Sequence, residues 1–127
     1  MNEDYPAAAR RHWRDAALLD ENRRWENADH HYGFAAECAV KSALQFMGYL
    51  REEHRSWHIN VLWNKVQHTA YQRRFPQLAR ELSKDNCFEK WSVQQRYHCD
   101  GVVGEQEVRS HRYCAHKLLI AIGLFRG

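Results

Sequence analysis

Three side chains in the last fifth of the sequence are spaced so that they can act together on a phosphate. Arg109, Arg112 and His116 stand at i, i+3 and i+7, which on a helix stacks two guanidiniums and an imidazole on one face within two turns. An imidazole with an ordinary pKa of about 6.5 serves as general acid or base near neutral pH, and guanidiniums stabilise negative charge on a phosphoryl group. No acidic residue follows Arg109 in the sequence to neutralise them. The competing account is a solvated or dimer-facing polar strip. Arg96 and Tyr97, with His98 beside them, form a second candidate: a guanidinium and a ring able to hold a phosphate or a base. There the competing account is a loop anchor, with Tyr97 packed on the protein and Arg96 paired with a carboxylate.

Other chemistries find less support. His98, Cys99, His111 and Cys114 suggest zinc, but only His111-x2-Cys114 has the close pairing of structural zinc ligands, so no metal and no cofactor is expected. The cysteines at 38, 87, 99 and 114 form no C-x-x-C pair, which fits free thiols in a reducing compartment. None lies in a context that would make it a nucleophile. His30 and His31 read as surface or interface residues. The phosphate-cradling glycine loops of nucleotide-binding folds are missing.

The elements that must carry these residues are helical. Asp4 can cap a first helix with Tyr5, Ala8, Ala9, His12, Ala16 and Leu19 on one side, and the stretch 26–29 supplies turn formers. A second helix, from about His30 to Leu50, is apolar or small over most of its circumference, with Glu37 and Lys41 four apart on the remaining polar strip. A polar linker from Arg51 to Trp57 precedes a third helix bearing Ile59, Leu62, Trp63, Val66 and Ala70. A shorter helix starts near Pro76, residues 85–104 read as a long loop, and a last helix covers about Glu105 to Phe125.

Composition agrees. Among 127 residues there are six Gly, two Pro, seven Val, three Ile and one Thr, too few β-branched and turn residues for a sheet protein. The expected fold is all-α, an up-and-down bundle of four to five helices in a single domain spanning 1–127. The net charge of +3 comes from fourteen Arg and five Lys against sixteen acids, an arginine bias compatible with nucleic acid. No apolar run is long enough for a membrane span and the first residues are acidic, so a cytoplasmic protein without membrane attachment is expected.

The order of these features resembles the HEPN family, small helical bundles found across prokaryotic defence and toxin–antitoxin systems. The resemblance covers roughly residues 7–125. It rests on the stretch from Tyr32 to Lys41, with its A-x-x-A-E-x-x-x-K character, on His58-Ile59-Asn60-Val61-Leu62, and on Arg96-Tyr97 ahead of the last helix. It implies an RNA-directed domain, a homodimer and, in nuclease members, an R-x(4 to 6)-H motif on the last helix, to which Arg109 and His116 conform. Five Arg–His pairs in this sequence meet that spacing, and only this one lies on the last helix. Ser110 stands where the family usually has Asn, Asp or His, and Lys117-Leu118 follows His116 where an H-x-Tyr ending is common. The activity so implied is metal-independent RNA cleavage, with Arg109 and His116 as catalytic residues and Arg112, Arg96 and Tyr97 binding RNA. Its alternatives are a noncatalytic module pairing with a nucleotidyltransferase-like partner and a dimeric scaffold.

Overall fold

Asp4 starts the first helix, α1 (Tyr5–Glu21), by accepting a hydrogen bond from the Ala7 amide at 3.0 Å, with Pro6 in the first turn where its missing N–H costs nothing. The computed structural model describes residues 3–66, 73–97 and 101–125, excluding the side chain of Arg96. Five further helices follow: α2 (Trp25–Phe46), α3 (Glu52–Ser56), α4 (Ile59–Lys65), α5 (Pro76–Leu82) and α6 (Glu105–Ala121), with a 3-10 turn at Val93–Tyr97. The described residues contain no strand, and the chain is an all-α bundle. None of the described helices is long and apolar enough to cross a membrane.

α2 is the axis. Ala28, Tyr32, Ala35, Ala36, Ala39 and Val40 are fully buried along it, and the small residues let α1 and α6 approach closely. α1 runs antiparallel to α2, bringing His12 to His31 and Tyr5 towards Lys41. It is also antiparallel to α6, where Trp13 meets His116 and Asp20 meets Arg112.

Several boundaries differ from the sequence reading, for local reasons. The chain turns at residues 22–24, where Arg23 takes a left-handed φ of 58°, so residues 26–29 lie inside α2 rather than in a turn. At its other end α2 stops at Phe46, not Leu50. Gly48 (φ 77°) closes a Schellman motif there, with the Tyr49 amide donating to the Leu44 carbonyl at 2.8 Å. The linker 51–57 contains the short α3, and the loop 85–104 contains the 3-10 turn. Ala70, placed on the third helix by its spacing, lies outside the described residues, as do His98 and Cys99.

The loop between α5 and α6 is held against α2 by Trp91, which is 1% exposed. Its indole lies on the backbone of Gly33, where an added Cβ would come within 2.1 Å of the ring. Glycine there creates the slot that Trp91 fills. Gly33→Ala is expected to push Trp91 out of its seat and to destabilise the protein by about 1–3 kcal/mol, the usual cost of overpacking. A lowered urea midpoint measures it.

Candidate functional site

The polar strip expected on α2 is instead buried charge. Glu37 and Lys41 are 7% and 2% exposed, and Lys41 Nζ donates to Glu37 Oε2 at 2.9 Å and to the Arg55 carbonyl at 2.9 Å. The other Glu37 oxygen meets His58 Nδ1 at 2.9 Å. One carboxylate thereby fixes α3 and the start of α4 against α2. Buried charges of this kind cost desolvation and are tolerated only when each finds its partner. Replacing Lys41 with Met strands the Glu37 carboxylate in the core, and the expected loss of stability, read from chemical denaturation, is about 3–5 kcal/mol.

One and two turns earlier on the same helix, Asp29 is fully buried. Its Oδ1 lies 2.6 Å from His111 Nδ1, and its Oδ2 accepts from Gln95 Nε2 at 2.9 Å. Its backbone carbonyl accepts from Trp91 Nε1 at 3.0 Å. His111 Nε2 donates to the Cys87 carbonyl at 3.1 Å, while the ring stacks on Phe88 with centroids 4.8 Å apart. The proton of the Asp29–His111 contact is therefore shared between carboxylate and imidazole, because the carbonyl only accepts. Asp29, read from sequence as a turn former, organises the whole loop.

Cys87 and Cys114 are joined in a disulfide that ties this loop to α6, which corrects the expectation of free thiols at those two positions. Cysteines without a short framework spacing still pair when a loop folds back on a helix. Cys38 is free and buried, and burial pushes its thiol up to about 12, which leaves no nucleophilic thiolate at neutral pH.

The stripe on α6 is present, and its surroundings are not bare. Arg109 is exposed and donates to Glu105 at 2.6 Å, a contact that raises its pKa. Arg112 reaches across to Asp20 of α1 at 3.3 Å, and its guanidinium lies 5.8 Å from the centre of the Trp13 ring. His116 is half-buried and stacks on the same indole, centroids 5.0 Å apart and planes 23° apart, with Phe125 on its flank at 6.2 Å. The expectation that nothing neutralises the stripe is corrected: Glu105 precedes it by one turn, and Asp20 comes from another helix. Asp20 also accepts from the Tyr32 hydroxyl at 3.0 Å. Arg109, Arg112 and His116 thus line a seam between α1 and α6, floored by Trp13. Arg96 and Tyr97 are not part of it. They sit in the 3-10 turn before α6, with Tyr97 exposed and the Arg96 side chain outside the described part of the structure.

Trp13 and Asp20 were not singled out as functional residues from sequence, and neither was the pairing of His12 with His31. His12 Nδ1 and His31 Nδ1 are 3.0 Å apart, and His30, expected at the surface, is buried with its ring stacked at 5.7 Å on Trp91. No three His, Cys, Asp or Glu side chains converge on a common point among the described residues. Comparison with protein-family models, with curated proteins and with solved structures returns no match.

Burial lowers the pKa of both His12 and His31 from the ordinary 6.5; their mutual repulsion and Arg11 add to this at His12, while Asp15 opposes it at both and Glu37 at His12. The unfolded chain therefore takes up protons first as the pH falls. Stability is expected to be unaffected by this pair above about pH 6.5 and to decline below it, levelling once the folded rings also protonate. Urea midpoints from pH 7.5 down to about 5 follow the effect, and the His12→Gln/His31→Gln double variant flattens that part of the profile.

Proposed function

We propose that this chain is a HEPN-like, RNA-directed module of a toxin–antitoxin or defence system, and that RNA lies along the α1–α6 seam. The observation that carries this reading is the stack on Trp13: a guanidinium and an imidazole share one indole, with the exposed Arg109 guanidinium nearby on the same helix face. Guanidiniums pair with phosphate oxygens, and a ring surface beside them accepts a base. Further support comes from Glu37, Lys41 and His58. They belong to the two separate stretches on which the family resemblance rests, and they meet in one buried cluster.

Cleavage is the second reading. A homodimer would set two seams across a shared cleft, with His116 as general acid or base on the ribose 2′-hydroxyl or the leaving oxygen and Arg109 and Arg112 on the phosphate. Against it, Glu105 holds Arg109 and Asp20 holds Arg112, so both guanidiniums must leave carboxylates before they can bracket a scissile phosphate. That favours a binding module, with a nucleotidyltransferase-like protein as the partner the family suggests, over a nuclease. The setting this reading implies is cytoplasmic, where the reducing pool opens an accessible disulfide. The hydrogen bonds of Asp29 would hold the loop there without the Cys87–Cys114 bond.

Fluorescence anisotropy with a labelled single-stranded RNA tests the proposal. Arg109→Ala and Arg112→Ala are each expected to weaken binding and to reduce the slope of log affinity against log salt by about 1. Incubating the RNA in chelator then separates the readings. RNA left intact supports the binding module, and products lost in His116→Ala would establish cleavage. No binding by the wild-type protein would refute both.

A further inference from the structure

The antiparallel packing of α1 on α2 brings together two imidazoles that lie nineteen positions apart. Each is half-buried, and their ring planes are 29° apart with centroids at 5.2 Å. Phe34 packs against both rings, at 5.3 Å from His12 and 6.4 Å from His31, and so walls one side of the pair. Two ring nitrogens 3.0 Å apart can be reconciled in two ways. One ring can donate an N–H to the other, or both lone pairs can point at one cation.

The surroundings suit the cation. Burial holds both rings in the neutral form that offers a lone pair, and Asp15, one turn beyond His12 on α1, acts electrostatically on both. We propose that His12 and His31 form a two-imidazole site for a divalent late transition-metal ion, Cu2+ or Ni2+, which clamps α1 to α2. The spacing selects the metal class. With metal–nitrogen bonds of about 2.0–2.1 Å, nitrogens 3.0 Å apart subtend roughly 90–97° at the ion. That is the cis angle of square-planar, tetragonal or octahedral coordination, the preference of Cu2+ and Ni2+, and it is tighter than the tetrahedral angle of about 109° that Zn2+ adopts. With no third His, Cys, Asp or Glu converging among the described residues, water completes the shell. The site is therefore exchangeable rather than a permanent structural centre. It shares no residue with the α1–α6 seam and stands whether or not the chain binds RNA.

Tag-free protein stripped with chelator and titrated with Ni2+ alone tests the site by calorimetry and thermal melting. One Ni2+ is expected to bind per chain and to raise Tm by several degrees at saturation, because the ion binds the folded state and not the separated helices. His12→Gln and His31→Gln are each expected to lose at least tenfold in affinity together with the Tm gain, whereas His54→Gln, on the exposed α3, keeps both. No Tm gain in the wild type, or a gain retained in both variants, overturns the proposal. A gain from Zn2+ equal to that from Ni2+ overturns the choice of metal. Pulsed electron paramagnetic resonance of one equivalent of Cu2+ on the wild-type chain reads the ligands without any substitution, so the test survives a variant that does not fold. Two equatorial imidazoles are expected, and one or none overturns the site.

Discussion

Two carboxylates buried on α2 set the terms on which the rest of the chain folds. An ionised carboxylate in an apolar interior is costly unless both oxygens are matched, and Asp29 and Glu37 sit two turns apart on the helix that every long element packs against. Glu37 is satisfied only if Lys41 turns inward and α4 begins at His58. Asp29 is satisfied only if His111 of α6 and Gln95 of the preceding loop converge on it. Each carboxylate therefore acts as an address. Apolar burial alone would allow α6 and the α3–α4 segment to slide or rotate on the alanine-rich surface of α2, because such a surface offers little relief to register against. The ionic contacts remove that freedom by penalising every register that leaves a charge unmatched.

The same logic explains why the loop between α5 and α6 is ordered despite its length and lack of periodicity. Trp91 fills the slot above Gly33 and donates to the Asp29 carbonyl, Phe88 stacks on His111, and Cys87 supplies both a carbonyl to His111 and a sulfur to Cys114. These contacts share partners, so the loop closes as a unit and its position fixes the rotation of α6 about its own axis. That rotation turns Arg112 and His116 towards Trp13 of α1 and leaves Arg109 outside. The candidate RNA-binding seam is thus positioned from the opposite side of α6, through Asp29.

What could be read in the sequence follows from the range of the interactions involved. The helices themselves, the Asp4 cap, and the identity of α2 as the axis are local or periodic features, visible in the spacing of Ala35, Ala36, Ala39 and Ala43. The stripe on α6 was visible for the same reason. Its neutralisation was half visible: Glu105 stands four residues before Arg109, a spacing that forms pairs on any helix, while Asp20 lies ninety-two positions from Arg112 and depends on how α1 crosses α6. Glu37 and Lys41 carried a misleading local signal, since an i, i+4 pair of opposite charges is the ordinary sign of a solvated face. Only the tertiary partners Arg55 and His58 reveal that this pair is buried. Asp29 misled in the same way, as a turn former whose partners lie sixty and more residues away.

The histidines divide along a related line. A titratable ring in the core needs a partner that tolerates its proton, and His111 has one in Asp29, which fixes that ring as structural. His58 has one in Glu37. His12 and His31 have mainly each other, and two like rings facing nitrogen to nitrogen are stable only while at most one proton lies between them. A cation can take the place of that proton with its charge shared by two donors and by water, and it can do so without moving either helix. Their geometry therefore singles out the one histidine pair whose bonding is not already complete within the fold, and it places that pair across the α1–α2 contact. Occupancy there would bear on the packing of α1, and through Trp13, the next residue on α1 after His12, on the floor of the seam that faces α6.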